Sequence, residues 1–419
     1  FNRNVWLDDT VEHTAKAFLG LTFNCAKCHD HKYDPISQKN YYQLRAFFEP
    51  HDVRTDPIPG QTDIEKDGLV RVFDANLDEP TYLFHRGQEH QPDKTNPLSP
   101  KLPEVLGGKI ILLPVLFKTA DNQVVISTGR RLALANWITD RRNPLTARVA
   151  VNHIWLRHFS APLVVGITDF GLRSPRPEFA EVLDTLAVEF MEHGWSMKFL
   201  HRKIVLSATY RMRSDFASPM NMKIDPDNQF LWQVNHHRME GETIRDSVLH
   251  LAGRLDRTMG GREIPLEESN SSRRRSIYFR HGHERQVEFI ETFDGANVLE
   301  CYRRNTTIVP QQALALSNNV VVREQSRRVA RQLSDVATSD TVFVQQAFRH
   351  LLSRESTNAE VTRCLTFLRT QAELIEQGDL TYIEGAPPAL VQAALDPLLC
   401  ARQGLVHVLM NHNDFVTLR

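Results

Sequence analysis

The sequence has no surplus of charge of either sign. Its 50 Lys and Arg offset 51 Asp and Glu, for a net charge of −1. Without a whole-molecule field, binding of nucleic acid is not expected, and an acidic membrane surface would need a local basic patch. No apolar run approaches the roughly 20 residues of a membrane span. The longest, 110–117, is short and broken by Pro114. Five cysteines in 419 residues are too few for a disulfide-stapled scaffold. G-x-S-x-G, a Walker loop, the Rossmann glycine pattern and H-E-x-x-H are all missing, which leaves the common hydrolase, nucleotide and zinc-protease chemistries without support. Internal repeats and low-complexity tracts are missing too. The opening Phe1-Asn2-Arg3-Asn4 carries neither an initiator Met nor a secretory signal. The expectation is a fragment or processed chain, with any export signal outside it.

Apolar residues make up 41 % and charged residues 24 %, the balance of a water-soluble globular protein of two or three domains. Hydrophobic periodicity predicts a mainly α fold in three blocks. Residues 1–55 read as a small helical domain, with helices over 5–20 and around 41–48. Residues 56–126 are dense in proline and read as an irregular connector, with short strands at 69–73 and 109–113. Residues 127–419 read as a large helical domain. Its helices are expected at 130–140, 145–159, 179–193, 197–211, 239–255, 311–333, 341–353, 358–375 and 388–410. One β hairpin is expected within 274–292, where Ser276-Ile277-Tyr278-Phe279 and Val287-Glu288-Phe289-Ile290 flank His281-Gly282-His283.

One motif carries chemistry. Cys25-x-x-Cys28-His29 is the attachment pattern of a c-type haem. Two thiols at this spacing add to the vinyl groups on one edge of a porphyrin, and the following imidazole is held beneath the iron. A zinc knuckle with His29 or His31 as third ligand competes with that reading, as does a disulfide or redox pair. His31 lies only two residues beyond His29 and does not easily reach the opposite haem face. A sixth ligand would come from elsewhere, with His13, His51, His85, His153 and His158 as unranked candidates.

The stretch Leu7-Asp8-Asp9-Thr10-Val11 … Phe18-Leu19-Gly20-Leu21-Thr22 … Cys25-Ala26-Lys27-Cys28-His29-Asp30-His31-Lys32-Tyr33-Asp34-Pro35-Ile36 resembles the second planctomycete cytochrome-c-type domain. The remainder is similar to the planctomycete-specific domain that follows it. The phrases that carry this include Asn143-Pro144-Leu145-Thr146-Ala147-Arg148, Asp169-Phe170-Gly171, Ser207-Ala208-Thr209-Tyr210-Arg211, Asp225-Pro226-Asp227-Asn228, Pro310-Gln311-Gln312-Ala313-Leu314 and Asn411-His412-Asn413-Asp414-Phe415. His153 departs from the pattern, standing where the resemblance places arginine. The resemblance implies a large cell-envelope protein of planctomycete-like bacteria. Another haem-type or carbohydrate-binding-like domain can precede this one, and a partner of another uncharacterised family is often encoded beside it. It implies no established reaction, so whether the chain is an enzyme stays open.

Other groupings have bland readings beside functional ones. Asp169-Phe170-Gly171 matches the kinase magnesium motif, but no glycine-rich loop or catalytic loop accompanies it. His281-x-His283 with Glu284, Glu288 and Glu291 could form a metal or acid–base cluster, or simply a polar hairpin. Arg273-Arg274-Arg275 and Arg303-Arg304 could hold sulfated or carboxylated polysaccharide, or pair with Glu267, Glu268, Glu291 and Asp294. The stretch 306–312 could line a cleft or cap the helix after it. Glu242, Arg245 and Asp246 sit at helical spacing, as an ion-paired set would.

The leading expectation is a c-type haem protein of the periplasm or cell envelope, with haem c on Cys25, Cys28 and His29 and a redox protein as partner. Localisation follows from covalent haem attachment, which takes place outside the bacterial cytoplasm. The alternative is a haem-free module binding or processing envelope polysaccharide, with zinc or a disulfide at the cysteines.

Overall fold

The computed structural model describes residues 2–57, 68–107, 110–118, 124–214, 216, 218–282, 284–300, 302–378 and 393–418. About half of the chain is helical, and its strands are short antiparallel pairs. It divides into two compact units: 1–212 with 223–234, and 213–222 with 235–419. The 127–419 stretch is therefore shared between the units, and the first unit takes in the cysteine motif, the connector and the helices up to residue 212.

In the first unit, α1 (Arg3–Thr14) starts where the Asn2 side chain accepts the N–H groups of Asn4 and Val5. Leu7, Val11, Ala15 and Leu19 recur every fourth residue and are fully or almost fully buried. The helix widens into a π-turn over Ala15–Leu19 and ends at Gly20, whose φ of +60° suits a residue without Cβ. After a 3₁₀ turn (Phe23–Ala26), α2 (Gln38–Arg45) opens on a capping box between Ser37 and Asn40.

The connector supplies two hairpins. In the first, β1 (His51–Asp56) pairs with β2 (Leu69–Asp74) in the register His51↔Asp74. In the second, β3 (Val115–Lys118) pairs with β4 (Val124–Ser127). The strand expected at 109–113 begins instead at Val115, and residue 109 lies outside the described residues. Asp74 accepts from Ser127 Oγ at 2.8 Å, Thr128 N at 2.7 Å and Arg131 Nη2 at 2.9 Å, which ties β2 to the end of β4 and to the next helix. Four helices follow: α3 (Arg130–Ile138), α4 (Thr146–Phe159), α5 (Ala180–Glu192) and α6 (Met197–Val205). The unit has two apolar cores. Leu7, Val11, Phe23, Tyr42, Phe47, Leu134 and Trp137 form one, and Val151, Phe159, Leu183, Phe190, Leu200 and Ile204 form the other.

The division after residue 222 falls inside α7 (Pro219–Ile224), and the second unit holds α8 (Gly241–Leu251), α9 (Glu288–Thr292), α10 (Pro310–Asn318), α11 (Val320–Val336), α12 (Asp340–Leu352), α13 (Asn358–Gln377) and α14 (Pro397–Met410). A two-residue ladder joins β5 (His237–Arg238) to β6 (Thr417–Leu418). One apolar core runs through it, with Ile244, Val248, Val329, Phe343, Ala347, Val406 and Met410 among its most buried members.

Three expectations are corrected here. The hairpin in 274–292 does not form: Ser276–Tyr278 is a 3₁₀ turn and Glu288–Thr292 is helical. Val287, Ile290 and Phe293 are buried at three-residue spacing, a helical period that outweighs the apparent alternation. Ile277, expected inside a strand, is 68 % exposed, and the segment meets its neighbours through isolated parallel bridges, Asp256↔Arg274 and Ile264↔Phe279. Second, the helix expected over 311–333 is two, broken at Asn319, whose side chain accepts from Val321 N and Val322 N and so caps the second. Third, the last helix begins at Pro397; of its expected start, residues 388–392 lie outside the described ones.

Candidate functional site

The cysteine motif sits on a loop fixed from three sides. Below it, Asp8 of α1 accepts from Tyr41 Oη at 2.6 Å and Arg45 Nη1 at 3.0 Å, both on α2, and from Lys27 Nζ at 2.5 Å within the motif itself. Arg45 is 1 % exposed, pairs with Glu49 through Nε at 3.1 Å and lies over the Phe84 ring. Its charge is stabilised by two carboxylates rather than by water. Burial, with Asp8 beside it, holds the Tyr41 phenol far above its ordinary pKa. To one side, Gln38 Nε2 donates to the carbonyls of Lys27 and Phe84, both at 3.0 Å, and joins the motif to the turn His85–Gly87. That turn presses on the motif. A Cβ on Gly87 would lie 2.6 Å from Cys28 Sγ.

The third support is a loop far along the chain. Phe170 N donates to Gly20 O at 2.6 Å, and a Cβ on Gly20 would lie 2.6 Å from the Phe170 ring. Leu172 N donates to Asp34 Oδ1 at 2.7 Å. Arg173, held by Asp169 through Nε at 2.9 Å, brings its guanidinium 5.9 Å from the centre of the Tyr33 ring. Asp169-Phe170-Gly171 is thus a buttress of the motif loop.

Cys25 and Cys28 are both free thiols and both exposed. His29 is exposed, and its Nδ1 lies 2.7 Å from Asp30 O. A carbonyl only accepts, so a proton stands on Nδ1, and no hydrogen bond from a described residue engages Nε2. His31 differs. Its Nδ1 accepts the N–H of Asp34 at 2.8 Å, which places its proton on Nε2, 3.0 Å from Thr22 Oγ1. Both nitrogens are engaged, with Thr22 and with Asp34 N–H, so His31 organises the loop. Among the described residues, no three His, Cys, Asp or Glu side chains converge as a metal site.

The other histidines are dispersed. His51 is buried against Trp6, its Nδ1 at Phe48 O, and burial pushes its pKa down. His153 is lowered for the same reason, with Arg157 adding to it, and His158 lies 2.8 Å from His201. His13 lies on α1, and His85 lies in the turn that carries Gly87.

In the second unit, groupings that the sequence keeps apart come together. Glu242 and Asp246 of α8, Arg275, His281 and Arg304 line one cavity. Arg245 stands behind it, 3 % exposed, donating to the carbonyls of Ser269 at 2.9 Å and Ser272 at 2.6 Å and lying over Phe279. Burial lowers its pKa to about 10, so it is a structural cation. Thr307 is fastened to Asp294, and Gln312 Nε2 donates to Thr292 O, so the 306–312 stretch is tied back to the end of α9. Arg303 is not part of the lining, and His283 lies outside the described residues.

Residues 130–368 match PSD1, described as a protein of unknown function (DUF1553), and residues 1–53 match PSCyt2, likewise of unknown function (DUF1549). The chain belongs to the PSD1 family. In this order the two are the planctomycete cytochrome-c-associated domain pair. No curated protein and no solved structure matches the chain. The PSCyt2 match holds Cys25, Cys28 and His29, and the PSD1 match holds the 169–173 buttress. Sequence reasoning missed Gly87 and Arg173 as neighbours of the thiols. The one available signal was the Asp169-Phe170-Gly171 phrase.

Proposed function

We propose that this chain is a c-type haem protein of the bacterial cell envelope that exchanges single electrons with a partner protein. Cys25 and Cys28 hold the group through thioether bonds, and His29 Nε2 ligates its iron. When bound, the group supplies one-electron redox chemistry. The observation that carries the reading is the state of His29: Nδ1 is engaged by the Asp30 carbonyl while Nε2 stays open and exposed. A hydrogen bond on the far nitrogen fixes the tautomer a metal needs and raises the basicity of the ligand.

Two further features support it. Both thiols are accessible, and Gly87 keeps a side chain from standing against Cys28 Sγ. His31 and Asp30 hold the loop in shape, Asp30 Oδ1 accepting the N–H of Gln38 at 2.7 Å at the start of α2. Localisation rests on the same reading, since thioether attachment takes place outside the bacterial cytoplasm.

The test is a pyridine haemochrome spectrum with intact mass, on protein made in a host that matures c-type cytochromes. The mass of one haem, surviving denaturation and acid–acetone extraction, is expected. Cys25→Ser with Cys28→Ser should abolish it, and His29→Ala should keep the covalent link but change the absorption spectrum of the native protein, taken before pyridine is added. A bare polypeptide mass without a Soret band would overturn the proposal. Metal analysis of that sample would then separate a zinc knuckle from a disulfide.

A further inference from the structure

The cavity in the second unit has a volume of about 380 Å³, within the range of small-molecule sites. Its charged lining divides by engagement. Arg304 donates to both Glu242 oxygens, at 2.6 and 2.9 Å, and its Nε faces Glu240 at 3.4 Å. Asp246 Oδ1 accepts the N–H and hydroxyl of Ser276 at 2.8 and 2.7 Å. These acids and this guanidinium are largely satisfied within the protein.

Arg275 and Arg280 are not. Their nearest carboxylates stand at 3.9 Å (Asp246) and 3.8 Å (Glu263), beyond hydrogen-bond reach, and their side chains are 50 % and 66 % exposed. Two guanidinium forks with donors to offer therefore share one concave wall with the His281 imidazole. The lining also has an apolar part, in which Phe279, Val287 and Ile290 are buried and Ile277 stands exposed. Asp246 Oδ2 remains to accept a hydroxyl.

We propose that this cavity binds a hydroxylated organic anion. Arg275 and Arg280 take its charged group, a carboxylate or a sulfo group. Asp246 takes a hydroxyl, and the body of the ligand lies over Ile277 and Val287. A guanidinium matches either anion through two parallel N–H···O bonds, so the shared chemistry is a planar or trigonal oxyanion on a polyol. Nothing in this argument depends on the cysteine motif.

Isothermal titration of the full chain with glucuronate, glucose 6-sulfate and uncharged glucose tests it. At least one anionic probe should bind tenfold or more tighter than glucose, and which one does assigns the charged group. Arg275→Gln with Arg280→Gln should cut that affinity tenfold or more without lowering the melting temperature, because both side chains are exposed. Arg349→Gln, at the exposed Arg349–Glu355 pair on α12, should leave it unchanged. Chain carrying Cys25→Ser and Cys28→Ser should bind as the parent does. Equal binding of all three probes, no binding of either anion, or parental affinity in the double arginine variant would overturn the proposal.

Discussion

Asp34 accepts the backbone N–H of Leu172 at 2.7 Å, across 138 residues of chain. The same carboxylate sits so close to Gly171 that a Cβ there would collide with it, while Asp34 N–H is itself held by His31 Nδ1. One short bond thus joins the loop that carries Cys25, Cys28 and His29 to a loop of the PSD1 stretch.

This latch should be measurable. Asp34 is 7 % exposed, so Asp34→Ala strands a poorly solvated N–H and should cost about 1–3 kcal/mol in urea unfolding of the first unit. Gly171→Ala should destabilise by a similar amount, through crowding rather than a lost bond. Unchanged midpoints for both would show that the two loops do not depend on each other.

Gly87 should guard access to one thiol. Its φ of +73° and its approach to Cys28 Sγ both oppose a side chain. Gly87→Ala should cost about 1 kcal/mol and slow alkylation of Cys28 relative to Cys25. Peptide mass spectrometry after a timed iodoacetamide pulse on the haem-free chain reads the two rates. An unchanged ratio would contradict the contact.

Removing Arg45 should do more damage than any surface ion-pair change. Arg45→Ala leaves Asp8 and Glu49 without their shared buried cation, and about 3–5 kcal/mol should be lost. Arg142→Ala, which removes the exposed partner of Asp140, should leave the urea midpoint nearly unchanged. Similar shifts for the two variants would refute this ranking.

Acid should weaken both units by the same physics. Burial lowers the pKa of His51 and His153 in the first unit and of His407 in the second. The unfolded chain then binds more protons than the folded one. The stability these groups contribute is complete above the ordinary histidine value of about 6.5, and it is lost as pH falls through their lower folded values. Melting temperatures should therefore drop on acidification from about pH 7.5 to about pH 5.5. Changing His407 to Gln should flatten that slope for the second unit, and a parental slope in the variant would count against the assignment.

Much of this fold is legible in the sequence because helices are local. Leu7, Val11, Ala15 and Leu19 declare a buried stripe, and the proline density of the connector excludes long helices. The 274–292 segment is not legible. Ile277, Tyr278 and Phe279 in a row carry no period, and the segment pairs with residues 256 and 264, which no local pattern encodes. The break at Asn319 is hidden for another reason: a single capping side chain outweighs a run of good helix formers. At the site, the chemistry of Cys25, Cys28 and His29 is visible as a word, but its supports are not. Gly87 and Leu172 lie 59 and 144 residues beyond Cys28, and only folding places Gly87 on Cys28 and Leu172 on Asp34.

The interlock of Gly20 with Phe170 and of Asp34 with Leu172 has a bearing on heredity. A gene rearrangement that carried residues 1–53 to a new neighbour would deprive the motif loop of its buttress and leave Phe170 without its seat. Both halves would suffer at once. Separating the two stretches would be penalised at the level of folding, before any loss of activity is felt.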